Sequence, residues 1–206
     1  MKIKVLDTLY EKALDYVQDK RAEELEWARG IDESTFKNIK SKVFLAEYCW
    51  VVYASGFRVS IVEQKFPVLK SAFKNFDLQR LSRMRSVKQA LEAINHVGKA
   101  KGFLEGAKKI HKEGFSVFKK RLRKDGIDVL CELPYIGDIT KKHLAKNIGL
   151  LDLAKDDIWL ERIKELVCAT SVNEVTGYLS TKFDESEHVI DVVLWRYCAD
   201  KGLTEA

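Results

Sequence analysis

The stretch ELPYIGDITKKHLAKNIG, residues 132–149, contains the tightest corner that the sequence predicts. Two apolar residues flank a Pro-Tyr pair, and Gly137 ends a very short turn directly before a new helical pattern. The first backbone N–H groups of a helix lack partners within it and carry the positive end of the helix dipole. The stretch therefore predicts two helices joined by a hairpin, with a candidate phosphate site at the start of the second helix.

Gly137 is expected to favour this phosphate site in two ways. A glycine adopts positive φ without steric cost, and it lacks the Cβ that would keep a phosphate away. Lys141, Lys142 and Lys146 follow closely and would attract an anion. Such a device holds a nucleic-acid backbone without reading its sequence, although a plain corner between two helices would contain the same residues.

Apolar residues recur at helical spacing along almost the whole chain of 206 residues, and only two prolines and eleven glycines interrupt it. Hydrophobic residues make up 46% and charged residues 33%, a globular balance that argues against disorder. The pattern predicts an all-α fold, either as one large domain or as two small lobes that share a core.

The formal net charge of +5 makes the chain mildly basic. This value is compatible with nucleic-acid binding but is also common among proteins that bind none. The basic residues crowd ahead of the hairpin, where they form either a solvated helix face or part of a nucleic-acid interface. They are Lys99, Lys101, Lys108, Lys109, Lys112, Lys119, Lys120, Arg121, Arg123 and Lys124.

The four cysteines, Cys49, Cys131, Cys168 and Cys198, lie far apart and form no C-x-x-C pair. They are expected to be reduced and buried, and no metal site is expected. No apolar run approaches the ~18 residues that span a bilayer, and the charged start of the chain lacks the apolar core of a signal peptide. We expect a cytoplasmic protein without a membrane partner.

Capping residues, glycines and prolines predict the helix boundaries. A first helix is expected up to about Gly30. A second, apolar nearly all round and therefore central, is expected to start after a cap at Ser34 or Thr35 and to end before Gly56. The next is expected to break or restart at Pro67. Further helices are expected over 87–95, 97–113, 116–124, 127–132, 138–148, 158–168 and 186–199, with capping boxes at Ser86/Gln89 and Ser171/Glu174.

Leu133-Pro134-Tyr135-Ile136-Gly137 resembles the Leu-Pro-Gly-Val-Gly hairpin of the helix-hairpin-helix DNA glycosylase superfamily, which includes endonuclease III. Residues 157–163 are similar to the segment in which that family's catalytic aspartate precedes an arginine and an apolar residue. Residues 94–110 are similar to a family helix that begins with an Asn/Lys-rich turn. Residues 56–77 also resemble the 3-methyladenine DNA glycosylase I branch, but Val59 replaces that branch's pocket tryptophan and its zinc site is missing.

The resemblance implies a two-lobed helix-hairpin-helix DNA glycosylase fold with a DNA-binding cleft between the lobes. One lobe would be a central helical barrel over residues 41–150, with the helix-hairpin-helix at 127–149. The other would join residues 1–40 to residues 151–206. The implied activity is hydrolysis of the N-glycosidic bond of an alkylated or oxidised base in damaged double-stranded DNA, by a monomeric repair enzyme.

The resemblance also implies the site residues. Asp157 would be the catalytic carboxylate, kept ionised by backbone N–H groups and placed to stabilise an oxocarbenium-like sugar. Asp156 could exchange roles with it, or Asp157 could be only a helix N-cap. Phe57 and Arg58 would form a wedge that fills the space of an extruded base, or Phe57 is an ordinary core residue and Arg58 a surface residue. The hairpin would hold DNA through Tyr135, Ile136, Gly137, Ile139, Thr140, Lys141 and Lys142.

A base pocket is expected near Asp157, lined by aromatic side chains because an electron-poor alkylated base stacks well on aromatic faces. Glu47 is either a polar residue of this pocket or a surface residue. The aromatic candidates are Tyr48, Trp50, Tyr53, Trp159 and Trp195.

The chain departs from the family pattern at three places. Ile139 stands where bifunctional members carry a lysine that attacks the sugar, so we expect a monofunctional enzyme without strong β-lyase activity. Tyr135 replaces the first hairpin glycine; it could pack against the minor groove, cap the turn or weaken the approach of a phosphate. Cys198 alone lies in the tail, so no iron–sulfur cluster and no other cofactor are expected.

Two other functions fit the same residues. The chain could be a non-catalytic DNA-binding protein that keeps the hairpin without the chemistry. The hairpin could also be only architecture, in a protein that binds other proteins and has no affinity for DNA.

Overall fold

The computed structural model describes residues 1–203, and every regular element in that range is helical. The predicted all-α fold is therefore confirmed for this part of the chain. Two 3₁₀ segments occur, Lys74–Phe76 and Ile127–Glu132. The α-helices are α1 (Ile3–Lys20), α2 (Ala22–Arg29), α3 (Glu33–Asn38), α4 (Ser41–Ala54), α5 (Val59–Ala72), α6 (Leu78–Ser82), α7 (Lys88–Ala93), α8 (Val97–Glu113), α9 (Phe115–Asp125), α10 (Asp138–Asn147), α11 (Ile158–Leu166), α12 (Val172–Phe183) and α13 (Glu187–Lys201).

The first forty residues are divided differently from the expectation. The single helix expected up to Gly30 is two helices, because Arg21 leaves the helical region with φ −140° and ψ 34°. The caps expected at Ser34 and Thr35 do not start the central helix. Asp32 accepts from the Thr35 N–H at 2.9 Å beside the short α3, and the central α4 begins only at Ser41.

Two other local predictions are wrong. Helix α5 continues through Pro67 without a break. The Ser86/Gln89 capping box does not form, because Ser86 Oγ accepts from the Lys88 N–H and Gln89 Oε1 accepts from Lys74 Nζ. The glycine boundaries hold: Gly114 and Gly126 follow the ends of α8 and α9 with φ +87° each.

The chain divides into two compact units. The central unit comprises Lys37–Ile148, and the terminal unit joins Met1–Phe36 to Gly149–Ala206, of which the last three residues lie outside the described range. The resemblance implied a central lobe over residues 41–150, and the central unit of the structure covers Lys37–Ile148. Charge differs sharply between the units. The central unit has 24 Lys and Arg against 10 Asp and Glu, net +14, and the terminal unit has 12 against 21, net −9.

Helix α4 lies at the centre of the central unit, where it packs against α5, α8 and α10. Its side chains Phe44, Leu45, Tyr48 and Val52 are at most 1% exposed. Helix α8 approaches α4 closely because Gly106 has no side chain. A Cβ on Gly106 would lie 2.4 Å from the Tyr48 hydroxyl oxygen.

Helix α13 has the corresponding position in the terminal unit, with α1, α2, α11 and α12 packed around it. It is buried nearly all round, and its Arg196 side chain is fixed by Glu24 through two hydrogen bonds of 2.6 and 2.9 Å. None of the helices within residues 1–203 is long and apolar enough to cross a membrane.

We expect Gly106→Ala to destabilise the protein by about 1–3 kcal/mol, because the new methyl group would overlap the buried Tyr48 ring. Gly177→Ala is the matched control, since Gly177 lies inside α12 and a Cβ there has no neighbour within 4 Å. The control should gain about 0.5–1 kcal/mol from the higher helix propensity of alanine. Urea unfolding followed by circular dichroism measures both, and a stabilised Gly106→Ala variant would contradict the close approach of α8 to α4.

Candidate functional site

The predicted hairpin is present, with a 3₁₀ segment in place of its first helix. Ile127–Glu132 is followed by a five-residue turn, and α10 begins at Asp138. The apolar residues Leu133 and Ile136 are 1% and 6% exposed and anchor the turn in the core. The Tyr48 hydroxyl of α4 donates to the Pro134 carbonyl oxygen at 2.8 Å. The central helix therefore fixes the position of the hairpin.

Of the two properties expected of Gly137, positive φ is absent and open space beside the backbone is present. Its φ is −122°, which is ordinary extended backbone, and the residue with positive φ is Tyr135, at +67°. The left-handed position thus coincides with the first glycine of the family hairpin. Gly137 still leaves open space, because a Cβ there would have no neighbour within 4 Å.

The start of α10 presents backbone donors. The Gly137 N–H donates to Thr140 Oγ1 at 2.7 Å, and the Lys141 N–H donates to the Gly137 carbonyl oxygen. Within residues 1–203 the N–H groups of positions 138, 139 and 140 have no hydrogen-bond partner. Ile139 is 53% exposed beside them. This is the arrangement that binds a phosphate at a helix N-terminus.

The lysines beyond the turn contribute less positive charge than expected. Lys141 Nζ pairs with Asp128 at 2.7 Å and Asp138 at 2.8 Å, and these hydrogen bonds raise the pKa of Lys141 and lower the pKa of Asp138. Lys146 is only 3% exposed, so it is not a surface cation. Lys142 is half-buried. The backbone donors, and not these lysines, are therefore the main attraction for an anion at the turn.

A network of ion pairs holds the 3₁₀ segment. Arg121 Nη1 donates to Glu132 Oε1 at 2.5 Å, Arg121 Nε donates to Glu113 at 2.9 Å, and Lys109 pairs with the second oxygen of Glu132 at 2.8 Å. The hydrogen bond from Arg121, followed by that from Lys109, lowers the pKa of Glu132 to about 2. Residues that the sequence suggests as part of a basic run thus act here as structural partners.

Tyr135 lies over two glycines of α8. A Cβ on Gly98 would come within 2.1 Å of the Tyr135 hydroxyl oxygen, and one on Gly102 within 2.6 Å of its ring. The His96 ring packs edge-on against Tyr135 at 6.2 Å. Tyr135 nevertheless remains 44% exposed, so one face of the ring packs against the protein and the rest is open to a ligand.

Lys99 joins the hairpin to the expected wedge. Its side chain is buried, and Nζ donates to the carbonyl oxygens of Val52 and Ser55 at 2.5 and 2.6 Å, at the C-terminal end of α4. The same atom lies 5.1 Å from the ring centroid of Tyr135 and 5.9 Å from that of Phe57. Burial lowers the pKa of Lys99.

The charge pattern identified Lys99 only as one member of a basic run. Its spacing carries a better signal, because Gly102, Phe103 and Gly106 follow at positions +3, +4 and +7 and all belong to the buried face of α8. A lysine on a buried helical face needs acceptors for its ammonium group. The carbonyls at the end of α4 supply them.

The wedge residues lie at this junction. Phe57 is half-buried, with its ring 5.9 Å from that of His96. Arg58 is exposed, and its side chain makes no hydrogen bond or ion pair within residues 1–203. The structure therefore brings Phe57 and Tyr135 together around Lys99 and His96.

Two of the expected pocket aromatics are core residues. Tyr48 and Tyr53 are fully buried in α4 and offer no surface to a base. Burial raises the pKa of both phenols. Trp50 is half-buried, with its ring edge-on to Phe66 at 5.3 Å. Within α4, Trp50 alone of the expected pocket aromatics retains an accessible face.

Asp157 is the N-cap of α11, as one alternative predicted. Its Oδ1 accepts from the N–H groups of Trp159 at 3.0 Å and Leu160 at 3.2 Å, and its Oδ2 pairs with Lys155 Nζ at 3.2 Å. The Asp157 side chain is 15% exposed. The pKa of the Cys198 thiol is raised to about 12, mainly by burial of the thiol and in smaller part by the negative charge of Asp157.

The remaining candidates of this region also belong to the terminal unit. Arg162 lies 5.1 Å from the ring of Trp159, and Lys155 lies 4.4 Å from the ring of Trp195. Both rings are half-buried. Asp156 does not cap α11.

Glu47 has a perturbed carboxyl group in the central unit. Burial raises its pKa to about 7, against the lowering effects of a hydrogen bond from Asn147 and the charge of Lys146. Asn147 Nδ2 donates to Glu47 Oε2 at 2.9 Å, and Glu47 Oε1 makes no hydrogen bond within residues 1–203. A carboxyl group of this pKa can exchange protons near neutral pH.

No three His, Cys, Asp or Glu side chains within residues 1–203 are grouped as metal ligands. Comparison of the chain with protein-family models, with curated proteins and with solved structures finds no match.

We expect the Arg121–Glu132 network to stabilise the fold above pH 4.5 and to lose this contribution as the pH falls towards 2. The pKa of Glu132 is lower in the folded chain than its ordinary 4.5, so folding favours the ionised form and acid removes that advantage. The Glu132 side chain is 41% exposed, and solvent screening limits the contribution to about 1 kcal/mol or less.

Urea unfolding at pH 6 and pH 3 of the parent and of Glu132→Gln measures this contribution. The variant should be less stable than the parent at pH 6 and differ less from it at pH 3. Glu92→Gln, at an exposed position of α7, is the control. An equal difference between parent and Glu132→Gln at both values of pH would contradict the role of the network.

Proposed function

We propose that the chain is a DNA glycosylase that hydrolyses the N-glycosidic bond of an alkylated or oxidised base in double-stranded DNA. The observation that carries the proposal is the hairpin of the central unit. Three consecutive N–H groups at positions 138–140 lack partners within residues 1–203, beside the open space at Gly137. Such an arrangement suits a sugar–phosphate backbone.

Charge supports the choice of DNA over a protein partner. The unit that contains the hairpin has a net charge of +14, whereas the whole chain has +5. A field of this sign attracts a polyanion to the central unit and raises its association rate. An architectural corner without a ligand would not require the central unit to be so much more basic than the terminal one.

Asp157 is the proposed catalytic carboxylate. Hydrolysis of an N-glycosidic bond develops positive charge on the sugar, and a carboxylate held in place beneath it stabilises that charge. The hydrogen bonds from two backbone N–H groups and the ion pair with Lys155 fix the Asp157 side chain. Its remaining exposed surface would face the deoxyribose.

The reaction would be monofunctional. Ile139 has no nucleophilic atom, and Lys141 is held as an ammonium group by Asp128 and Asp138, so neither would form a Schiff base with the sugar. Phe57 and Arg58 would enter the duplex where the damaged base leaves it. Trp50 of the central unit and Trp159 of the terminal unit each have a half-buried ring, and a ring of this kind suits stacking by a base.

A second candidate function is DNA binding without catalysis. The observation that favours it is that both oxygens of Asp157 already have structural partners, at the cap of α11 and at Lys155. An aspartate engaged in this way could serve the fold alone.

We expect Asp157→Asn to reduce release of the damaged base about 10²- to 10³-fold or more, because the substitution removes the charge that stabilises the sugar cation. Asparagine caps a helix as well as aspartate does, but the substitution also removes the carboxylate partner of the buried Lys155 ammonium group, so circular dichroism must show that the variant is folded under the assay conditions. A panel of duplexes that each carry one lesion, with detection of the free base, measures the rate. Asp77→Asn is the matched control, since Asp77 caps α6 through the Arg80 N–H at 2.8 Å and has no proposed role in chemistry.

Release by the parent, lost in Asp157→Asn and kept in Asp77→Asn, supports the enzyme. Duplex binding by the parent without release of any lesion supports the non-catalytic alternative. Borohydride should trap no covalent adduct between the protein and a lesion-bearing duplex. A trapped adduct would overturn the monofunctional part of the proposal.

Of the two positions expected for Glu47, the pocket position has a consequence for the rate: if Glu47 protonates the departing base, base release should slow as the pH rises through about 7. The pKa of Glu47 is about 7 in the folded chain, so its acid form predominates below that pH and is lost above it. Glu47→Gln should lower the rate, by about 10²-fold or more for the loss of a general acid, and should remove this pH dependence.

Single-turnover rates of the parent and of Glu47→Gln between pH 5.5 and 8.5 test the role of Glu47. Glu105→Gln, at an exposed position of α8, should keep the profile of the parent. A Glu47→Gln variant with the same rate and the same pH profile as the parent would show that Glu47 takes no part in the proton transfer.

A further inference from the structure

A second basic surface lies on the central unit, in α6 and the connection to α7. Leu81, Met84 and Val87 are at most 9% exposed and fix this segment to the core. The positions between them point outward. We name this the α6–α7 surface, and it comprises the exposed residues Arg80, Arg83, Arg85 and Lys88.

The charges of the α6–α7 surface are not compensated. No Asp or Glu occurs between Asp77 and Glu92 in the sequence. The side chains of the four residues make no hydrogen bond or ion pair within the described part of the chain. Four like charges within nine residues repel one another, and this repulsion is relieved when an anion binds.

Five arginines elsewhere in the chain have structural partners, whereas Arg58 at the end of the turn after α4 resembles the α6–α7 arginines in having none within residues 1–203. Arg21 pairs with Asp200, Arg29 with Glu185, Arg121 with Glu113 and Glu132, and Arg196 with Glu24. Arg162 lies against the ring of Trp159. The three arginines of the α6–α7 surface therefore differ from these five, because nothing within residues 1–203 occupies their guanidinium groups.

The backbone before α6 is held in an unusual conformation. Lys74, Asn75 and Phe76 have φ values of +57°, +53° and +58°, and each non-glycine residue in the left-handed region costs roughly 1–2 kcal/mol. Phe76 offsets this cost by packing in the core, 5.9 Å from the ring centroid of Phe103. Asp77 then caps α6. The segment that carries the four cations is thus fixed by burial and capping.

We infer that the α6–α7 surface binds the phosphate backbone of double-stranded DNA. Guanidinium groups bind phosphate through paired hydrogen bonds, and the surrounding unit is strongly basic. An anionic membrane fits less well, because Leu81, Met84 and Val87 are buried and Leu78 is half-buried, so no large apolar side chain of this segment is exposed to enter a bilayer. The inference goes beyond the proposed function, since it requires neither the hairpin nor the chemistry of Asp157.

The dependence of DNA affinity on salt concentration makes the test quantitative. Each neutralised phosphate contributes about 0.9 to the slope of log K against log salt concentration. Replacing the four cations by glutamine should therefore reduce the slope by about 2 to 4 and weaken binding at least about tenfold near 0.1 M salt. Replacing the three arginines by lysine keeps the charge, so the slope should remain while the affinity falls by a smaller factor.

The experiment uses the full chain and an undamaged duplex of about 30 base pairs, with binding followed by fluorescence anisotropy between 0.05 and 0.3 M salt. The matched control also removes four exposed cations, but from α1 and the residue before it in the acidic terminal unit. Its substitutions are Lys2→Gln, Lys4→Gln, Lys12→Gln and Lys20→Gln. Circular dichroism checks that all variants keep the helical content of the parent.

A reduced slope in the α6–α7 variant and an unchanged slope in the control support the inference. Equal slopes in the parent and both variants overturn it, as does a parent that binds anionic vesicles or polyglutamate but no duplex. This test can be told apart from the test of the proposed function. If the parent releases no base but the α6–α7 substitutions reduce the salt slope of its binding to DNA, the glycosylase proposal fails and this inference is supported. Conversely, if the parent releases a base but the α6–α7 substitutions leave the salt slope unchanged, the glycosylase proposal is supported and this inference is contradicted.

Discussion

The hydrogen bond from the Tyr48 hydroxyl to the Pro134 carbonyl is the interaction on which the hairpin depends. Tyr48 is fully buried in the central helix, and its donor would be unsatisfied without a partner such as this carbonyl. An unsatisfied buried hydroxyl costs about 1–3 kcal/mol. The bond therefore favours one position of the turn relative to α4. Gly106 makes this possible, since any side chain there would displace the Tyr48 ring.

Local signals in the sequence were sufficient wherever a few neighbouring residues decide the conformation. Gly114 and Gly126 mark the ends of α8 and α9, and Asp157 caps α11, because glycine at positive φ and aspartate at an N-cap act within one turn. Arg21 carries no such signal, and the helices before and after it, α1 and α2, both pack against α13. Pro67 shows the opposite case, in which tertiary contacts keep a helix intact despite a breaking residue.

The site was predictable in its segments and not in its electrostatics. The residue pattern predicted the turn at the correct positions, but it led us to expect Lys99, Lys141 and Lys146 to be surface charges. In the fold, Lys99 and Lys146 are buried and Lys141 has two carboxylate partners. Similarly, the net charge of +5 for the whole chain is the sum of +14 for the central unit and −9 for the terminal unit. Charge acts through distance and burial, and neither is given by the order of residues along the chain.

Tyr135 shows how the hairpin accommodates a non-glycine residue at positive φ. A tyrosine at φ +67° is strained relative to glycine, so its ring must gain contacts that offset the strain. Gly98 and Gly102 provide the space on α8, and the Lys99 ammonium group lies 5.1 Å from the ring centroid. The strained tyrosine of the turn is thus accommodated by two glycines on the facing helix. The turn and the first turns of α8 consequently form one structural unit, in which a side chain added at either glycine of α8 would move Tyr135.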